Sequence, residues 1–373
     1  MKYYLICGER SGDLHSSNLI KAIKVHDEEG IFRGMGGDYS AEAGLNLKAH
    51  YEEVSVMGFI EVLFGFRKVL KYLRLIKEDL LQFRPDVLIL VDFGGFNMKM
   101  AAFAKSKGIK VHYYIPPKVW AWNQKRALNI KKQTDKVYSI LPFEPEFFKK
   151  YGIDAQYVGN PLFDEIAKFE PHPFFHQKNE LNYQPIIALL PGSRQQELDN
   201  MLSVLISVVK NFPNAQFVIA GVGNLKPEAY SAAIKAGIRI VFDQTYDLLH
   251  HATAAIVTSG TATLETALFR VPQVVVYKTS SLSYLIAKRL IKVPYISLVN
   301  LIANEEVVKE LIQDDFNSSS VSSELNYLLA DIQRKARVLN GYDLVKQKLG
   351  EGSASAKTAQ LIHESFNGKE LNN

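Results

Sequence analysis

At 373 residues the chain exceeds one ordinary domain, and 47% hydrophobic with 22% charged residues is a mixed globular composition that excludes a disordered or fibrous chain. The net charge of +5 and pI near 8.9 are mild and suit an anionic membrane surface or a phosphorylated substrate as readily as nucleic acid, so charge alone assigns no partner. One cysteine, Cys7, rules out a disulfide framework, and no window holds the ~18 consecutive apolar residues of a spanning helix, so any membrane contact is expected to be peripheral.

Met1-Lys2 leads straight into an apolar run at residues 3–7, without signal-peptide features, which predicts a cytoplasmic protein with Cys7 buried in the first strand. Gly8-Glu9-Arg10-Ser11-Gly12-Asp13 follows. Its glycines permit a tight turn, Ser11 or Asp13 can cap the next helix, and the free N–H groups there favour an anion, which makes Ser11 and Gly12 candidate substrate contacts. The spacing is not that of a dinucleotide fingerprint, and a plain capped turn is the competing reading.

Across residues 58–81, Leu63, Phe66, Val69, Leu70, Leu73, Ile76 and Leu80 recur at helical spacing and predict a core-facing stripe. Phe59, Phe64, Tyr72 and Leu75 fall off that stripe beside Arg67, Lys68 and Lys71, the chemistry of an interfacial surface facing anionic lipid or acyl chains. Strand-like runs at 87–92, 110–115 and 137–141, with helical stretches between, complete the βαβ rhythm of a doubly wound α/β domain over residues 1–168. The run 87–92 ends on Asp92, where a base would project beyond the sheet; a helix-capping aspartate is the plainer alternative. Asp92-Phe93-Gly94 is not a kinase signature, because no H-R-D loop, Gly-rich loop or V-A-I-K strand accompanies it. Trp120, Trp122, Lys125, Arg126, Lys131 and Lys132 extend the aromatic and basic surface, but no nucleic-acid module accompanies them, so nucleic acid is not an expected partner.

Prolines and polar residues at 169–185 predict a linker, after which strands at 186–190, 216–220, 238–242, 254–258 and 273–277 predict a second doubly wound domain over 186–345. In Pro191-Gly192-Ser193-Arg194, Gly192 and Ser193 open the backbone to an anion and Arg194 adds a planar cation suited to a diphosphate; no Walker loop occurs. Ser259-Gly260-Thr261 offers a second donor-rich turn, and Glu265, one helical turn on, is placed to accept from ribose hydroxyls. Residues 346–373 read as a helix and polar tail. Ligands bind beyond strand carboxyl ends in such sheets, so the two domains are expected to face a central cleft lined by these loops.

Together these loops resemble the lipid-A-disaccharide synthase family of GT-B glycosyltransferases (family 19 type). The resemblance spans nearly the whole chain and rests on Gly8-Glu9-Arg10-Ser11-Gly12-Asp13, Val56-Met57-Gly58, Pro85-Asp86-Val87, Asp92 with Phe96-Asn97, Val119-Trp120-Ala121-Trp122, Leu141-Pro142-Phe143-Glu144, residues 189–194 and 259–265, Ala287-Lys288-Arg289-Leu290, and Asn300-Leu301. It implies an inverting transfer of 2,3-diacylglucosamine from UDP to the 6-hydroxyl of 2,3-diacylglucosamine 1-phosphate, on the inner face of the cytoplasmic membrane. It implies Asp92 as base, Arg194 and Asn300 as essential polar residues near UDP, and the 259–265 loop as the nucleotide holder. It also implies a final segment that crosses back to the first domain, a role open to residues 346–373 or to the 321–349 region, which could instead pair with another chain as a homodimer. A carboxylate-x-carboxylate pair of the sort that holds a divalent metal on a nucleotide-sugar is missing, so no metal and no cofactor are expected. The chain departs from the family pattern at Arg10, Lys118, Val299 and Asn160. Rival readings are a UDP-sugar epimerase or a GT-B transferase with a polar acceptor, which would share the 259–265 loop, a Rossmann oxidoreductase, disfavoured by the missing glycines, and a non-catalytic lipid-binding protein.

Overall fold

The computed structural model describes residues 1–54, 61–223 and 225–367, with side chains outside 61–66, 282–283 and 286–287. It divides into two compact units, Met1–Ala167 joined by the segment from Glu351, and Lys168–Gly350.

Among the described residues the first unit holds seven strands: β1 (Lys2–Ile6), β2 (Ile31–Gly36), β3 (Asn46–His50), β4 (Val87–Val91), β5 (Lys110–Tyr114), β6 (Lys136–Ser139) and β7 (Ala155–Tyr157). They form one parallel sheet in the order β3-β2-β1-β4-β5-β6-β7. Alternation within each strand feeds two cores. Tyr3, Leu5, Cys7, Val87, Ile89 and Val91 pack on one face, and Tyr4, Ile6, Leu88 and Leu90 on the other. Leu73, Ile76 and Leu80 of the helix Glu61–Phe83 join the second face, as their spacing predicts. Leu70, expected on the same stripe, is 44% exposed.

The helix Ala354–Phe366 closes the first face: Ala354, Ala359 and Ile362 pack with Leu19 and Ile20 of the helix Arg10–His26. Asp164 fastens its start, its Oδ2 accepting from the Ser355 backbone N–H at 3.1 Å and hydroxyl at 2.8 Å. The 321–349 region, a candidate for this return, instead forms helices Ser318–Ala330 and Ile332–Leu349 within the second unit, where Val321, Leu325, Tyr342 and Val345 are buried.

The second unit holds β8 (Ile186–Leu190), β9 (Gln216–Gly221), β10 (Arg239–Phe242), β11 (Ala252–Thr258), β12 (Gln273–Tyr277) and β13 (Glu310–Ile312), parallel in the order β10-β9-β8-β11-β12-β13. The 169–185 stretch, read as a linker, carries a one-turn helix, Phe175–Lys178, whose Phe175 is buried against Ile186, Leu248 and Leu249. One aromatic residue, unsignalled by its proline-rich surroundings, anchors it.

Candidate active site

In each unit the strand order reverses once, between β1 and β4 and between β8 and β11. Ligands of doubly wound sheets bind beyond the strand carboxyl ends at such a reversal. The loops singled out in the sequence, 8–13, 92–97, 191–194 and 259–261, are the four that leave these strands.

At the first reversal Gly8 meets Phe93 so closely that a side chain there would overlap the phenyl ring. Asp13 is buried and caps the short helix Asp38–Glu42 through Gly37 N (2.7 Å), Tyr39 N (3.0 Å) and Ser40 N (3.2 Å), so it does not cap its own helix as expected. Ser11 is exposed and donates to Glu9 Oε1 at 2.8 Å, while Gly12 is buried behind the turn. Burial pushes the Cys7 thiol up to about 12, leaving it unreactive.

Asp92 leaves β4 with φ 48° and Phe93 follows at φ 50°, a left-handed pair. Burial pushes the Asp92 carboxyl up to about 6; the neighbouring Glu9 carboxylate reinforces the rise, and the Lys118 ammonium opposes it. Such a group is ionised at neutral pH yet more basic than an ordinary aspartate, the profile of a general base.

Glu144 ends the Leu141-Pro142-Phe143-Glu144 motif, which by itself implies no role for it. It is buried, with Oε1 accepting from Trp120 Nε1 at 2.9 Å and Oε2 from the N–H groups of Ile140 (3.1 Å) and Leu141 (3.0 Å). Burial pushes its carboxyl up to about 7 against those donors. It ties the helix Val119–Trp122, after β5, to the loop after β6. The signal was available: an acid following Leu-Pro-Phe at a strand end. Of the departures, Lys118 lies beside Asp92 and Glu144, Arg10 reaches Tyr39 Oη at 3.5 Å, Asn160 is buried and donates to Ile140 O at 3.2 Å, and Val299 is buried.

At the second reversal Leu190 pairs with Val257, so the 191–194 and 259–261 loops leave neighbouring strands. Gly192, at φ 112°, lets the turn fold over Glu197. Glu197 Oε2 accepts from Ser193 N at 2.9 Å and Arg194 N at 3.3 Å, and Arg194 Nη1 lies 3.3 Å from Oε1. The donors expected to meet a phosphate thus hold a carboxylate of the chain itself. Ser259 Oγ donates to Ile296 O at 2.8 Å; Gly260 is half-buried and Thr261 exposed at the helix start. Burial raises the proton affinity of Glu265, whose Oε1 accepts from Tyr246 Oη at 3.2 Å.

Asn300 does not stand among these groups as a free polar side chain. It is fully buried: Nδ2 donates to Val308 O (2.8 Å) and Glu310 Oε1 (2.9 Å), and Oδ1 accepts from Val307 N (2.9 Å) and Val308 N (3.0 Å). With its amide saturated it holds Val307, Val308 and Glu310 together, a supporting place in this structure rather than an open one. Glu310 completes the support by also accepting from Ile296 N (3.0 Å) and Ser297 N (2.9 Å).

On the helix Glu61–Phe83, Arg67, Lys68 and Lys71 are exposed and Tyr72 and Leu75 half-buried; Phe59 and the side chain of Phe64 lie outside the described residues. Among the described residues no helix is long and apolar enough to cross a membrane, and no group of three or more His, Cys, Asp or Glu is placed to hold a metal ion.

A family model described as lipid-A-disaccharide synthetase matches residues 3–364. The chain is 37% identical over 369 residues to a lipid-A-disaccharide synthase of Syntrophotalea carbinolica, covering 96% of this chain and 94% of that one. It is 32% identical to the Coxiella burnetii protein of the same name, covering 96% and 97%. Among solved structures, S. aureus MnaA with UDP superposes with a TM-score of 0.69 at 12% identity, covering 98% of this chain and 97% of that one. UDP-GlcNAc 2-epimerase from Neisseria meningitidis bound to UDP-GlcNAc gives 0.62 at 12%, covering 98% and 100%. At these identities the structural likeness speaks for the GT-B fold alone.

Proposed function

This chain belongs to the lipid-A-disaccharide synthase family and is a glycosyltransferase of lipid A synthesis, and from that premise we propose that it transfers 2,3-diacylglucosamine from UDP to the 6-hydroxyl of 2,3-diacylglucosamine 1-phosphate with inversion. Asp92 takes the proton of the acceptor hydroxyl. The freed oxygen attacks the anomeric carbon opposite the leaving group, the bond from that carbon to the diphosphate oxygen breaks, and UDP departs with the electron pair. Arg194, with the backbone donors of Gly192 and Ser193, neutralises the leaving diphosphate, Ser259, Gly260 and Thr261 hold the nucleotide phosphate, and Glu265 accepts from the ribose. Ser11 lines the acceptor side, with Gly12 behind it supporting the turn. The exposed Arg67, Lys68 and Lys71 with the neighbouring Leu70 suit peripheral attachment to an anionic lipid surface.

The observation that carries this reading is the carboxylate of raised proton affinity at one strand reversal and the anion-holding loop at the other. Binding of the diphosphate there requires Ser193 N and the Arg194 guanidinium to exchange the Glu197 carboxylate for it.

The test is transfer between the two lipids in detergent, comparing the wild type with Asp92→Asn and Arg194→Ala, each checked for folding by circular dichroism. Transfer by the wild type and its loss in both folded variants are expected. A wild type that binds UDP but transfers no lipid would overturn the acceptor assignment and restore the epimerase reading.

A further inference from the structure

Two side chains from different elements converge on the backbone carbonyl of Asp92. Asn97, in the helix Gly94–Ser106, directs Nδ2 to Asp92 O at 2.7 Å and also lies 3.3 Å from Val91 O and Ile6 O. Tyr113, on β5, donates its hydroxyl to the same Asp92 O at 2.8 Å. Three carbonyl oxygens around one amide nitrogen settle which way the asparagine points, and its Oδ1 is left buried without a hydrogen-bond partner. Tyr113 has one hydroxyl proton, already given to Asp92 O, so it cannot supply that oxygen. The fold tolerates an orphaned acceptor to keep this arrangement.

What the arrangement achieves follows from the period of the strand. Leu88 and Leu90 face the core that also holds Ile6 and Phe96; an extended Asp92 would continue that row and drive its carboxylate into apolar side chains. The left-handed pair turns it out instead, toward Glu9 and Lys118. Gly94 and Gly95 stand next in the sequence and would bear positive φ without strain, yet the bend falls on Asp92 and Phe93. We propose that Asn97 and Tyr113 are positioning residues that clamp the Asp92 peptide in this bend and thereby aim its carboxylate at the acceptor hydroxyl. This rests on the reading of Asp92 as the base.

Tyr113→Phe removes one donor and keeps the ring, so it is the gentlest probe; Asn97→Ala is the second. In the purified full chain, Tyr113→Phe should lower kcat about tenfold with KM for both lipids changed less than about twofold, and should displace the acid limb of the pH profile. In an Asp92→Asn background the same change should have no further effect on the residual rate. Wild-type kcat and pH profile in Tyr113→Phe, or an equal loss with and without Asp92, would overturn the proposal and leave a packing role. A wild type that fails to transfer these lipids sinks the underlying reading, and the proposal with it.

Discussion

An aspartate with its proton affinity lifted to about 6 gives activity a signature on the acid side. Only the ionised carboxylate accepts a proton, so kcat/KM should fall about tenfold per unit below pH ~6. A pH–rate profile whose acid limb lies near pH 4, the range of an unperturbed carboxylate, would contradict this. Gly8 offers a stability counterpart: Gly8→Val must displace the Phe93 ring, at a cost of about 1–3 kcal/mol, readable as a lower midpoint in urea. Asp92 stood out in the sequence because a run of buried aliphatic residues ended on a charge. Asn300 shows the limit of such reading. Its chemistry was visible, but the four hydrogen bonds that its amide makes to Val307, Val308 and Glu310 depend on a β13 that the sequence did not signal.

Among the elements, the loops after β5 and β6 depend on Glu144, whose two oxygens accept from three N–H donors. Glutamine offers one oxygen and must turn its NH₂ toward a donor, so Glu144→Gln should lose about 1–3 kcal/mol, with a thermal midpoint equal to wild type counting against the account. The helix Glu61–Phe83 makes a different prediction. Lys68→Gln with Lys71→Gln should weaken sedimentation with anionic vesicles by about 2 kcal/mol, at about 1 kcal/mol per basic residue, while activity in detergent persists. Unchanged vesicle binding at low salt would remove this helix from the membrane assignment. The strands at 186–190 and 273–277 were legible to the residue because the first is a continuous buried apolar run and the second carries three consecutive buried valines. β2 was not: Arg33 and two glycines interrupt it, and Arg33 is there to pair with Asp79 at 2.7 Å. β7 and β13, three residues each, are too short to show a period.

On the scale of the whole molecule, the rhythm of apolar runs and helical stretches announced two parallel sheets, and the strand reversals explain why unremarkable loops carried the most informative residues. The cap that Asp164 places on Ser355 was beyond reach, since it joins residues far apart in the chain by two hydrogen bonds. Ending the chain after Gly350 removes the helix Ala354–Phe366, and the first unit should then lose its cooperative thermal transition while the second keeps its own. Two undiminished transitions in the shortened protein would refute this.

The same helix sets an order of events during synthesis. Met1–Ala167 leaves the ribosome early, but the side chains that cover Leu19 and Ile20 are made only after all of Lys168–Gly350. At about 5–20 residues per second, that interval is roughly ten to forty seconds. During it the nascent first unit lacks the helix that covers this apolar face, so the enzyme's two halves finish folding in the reverse of the order in which they began.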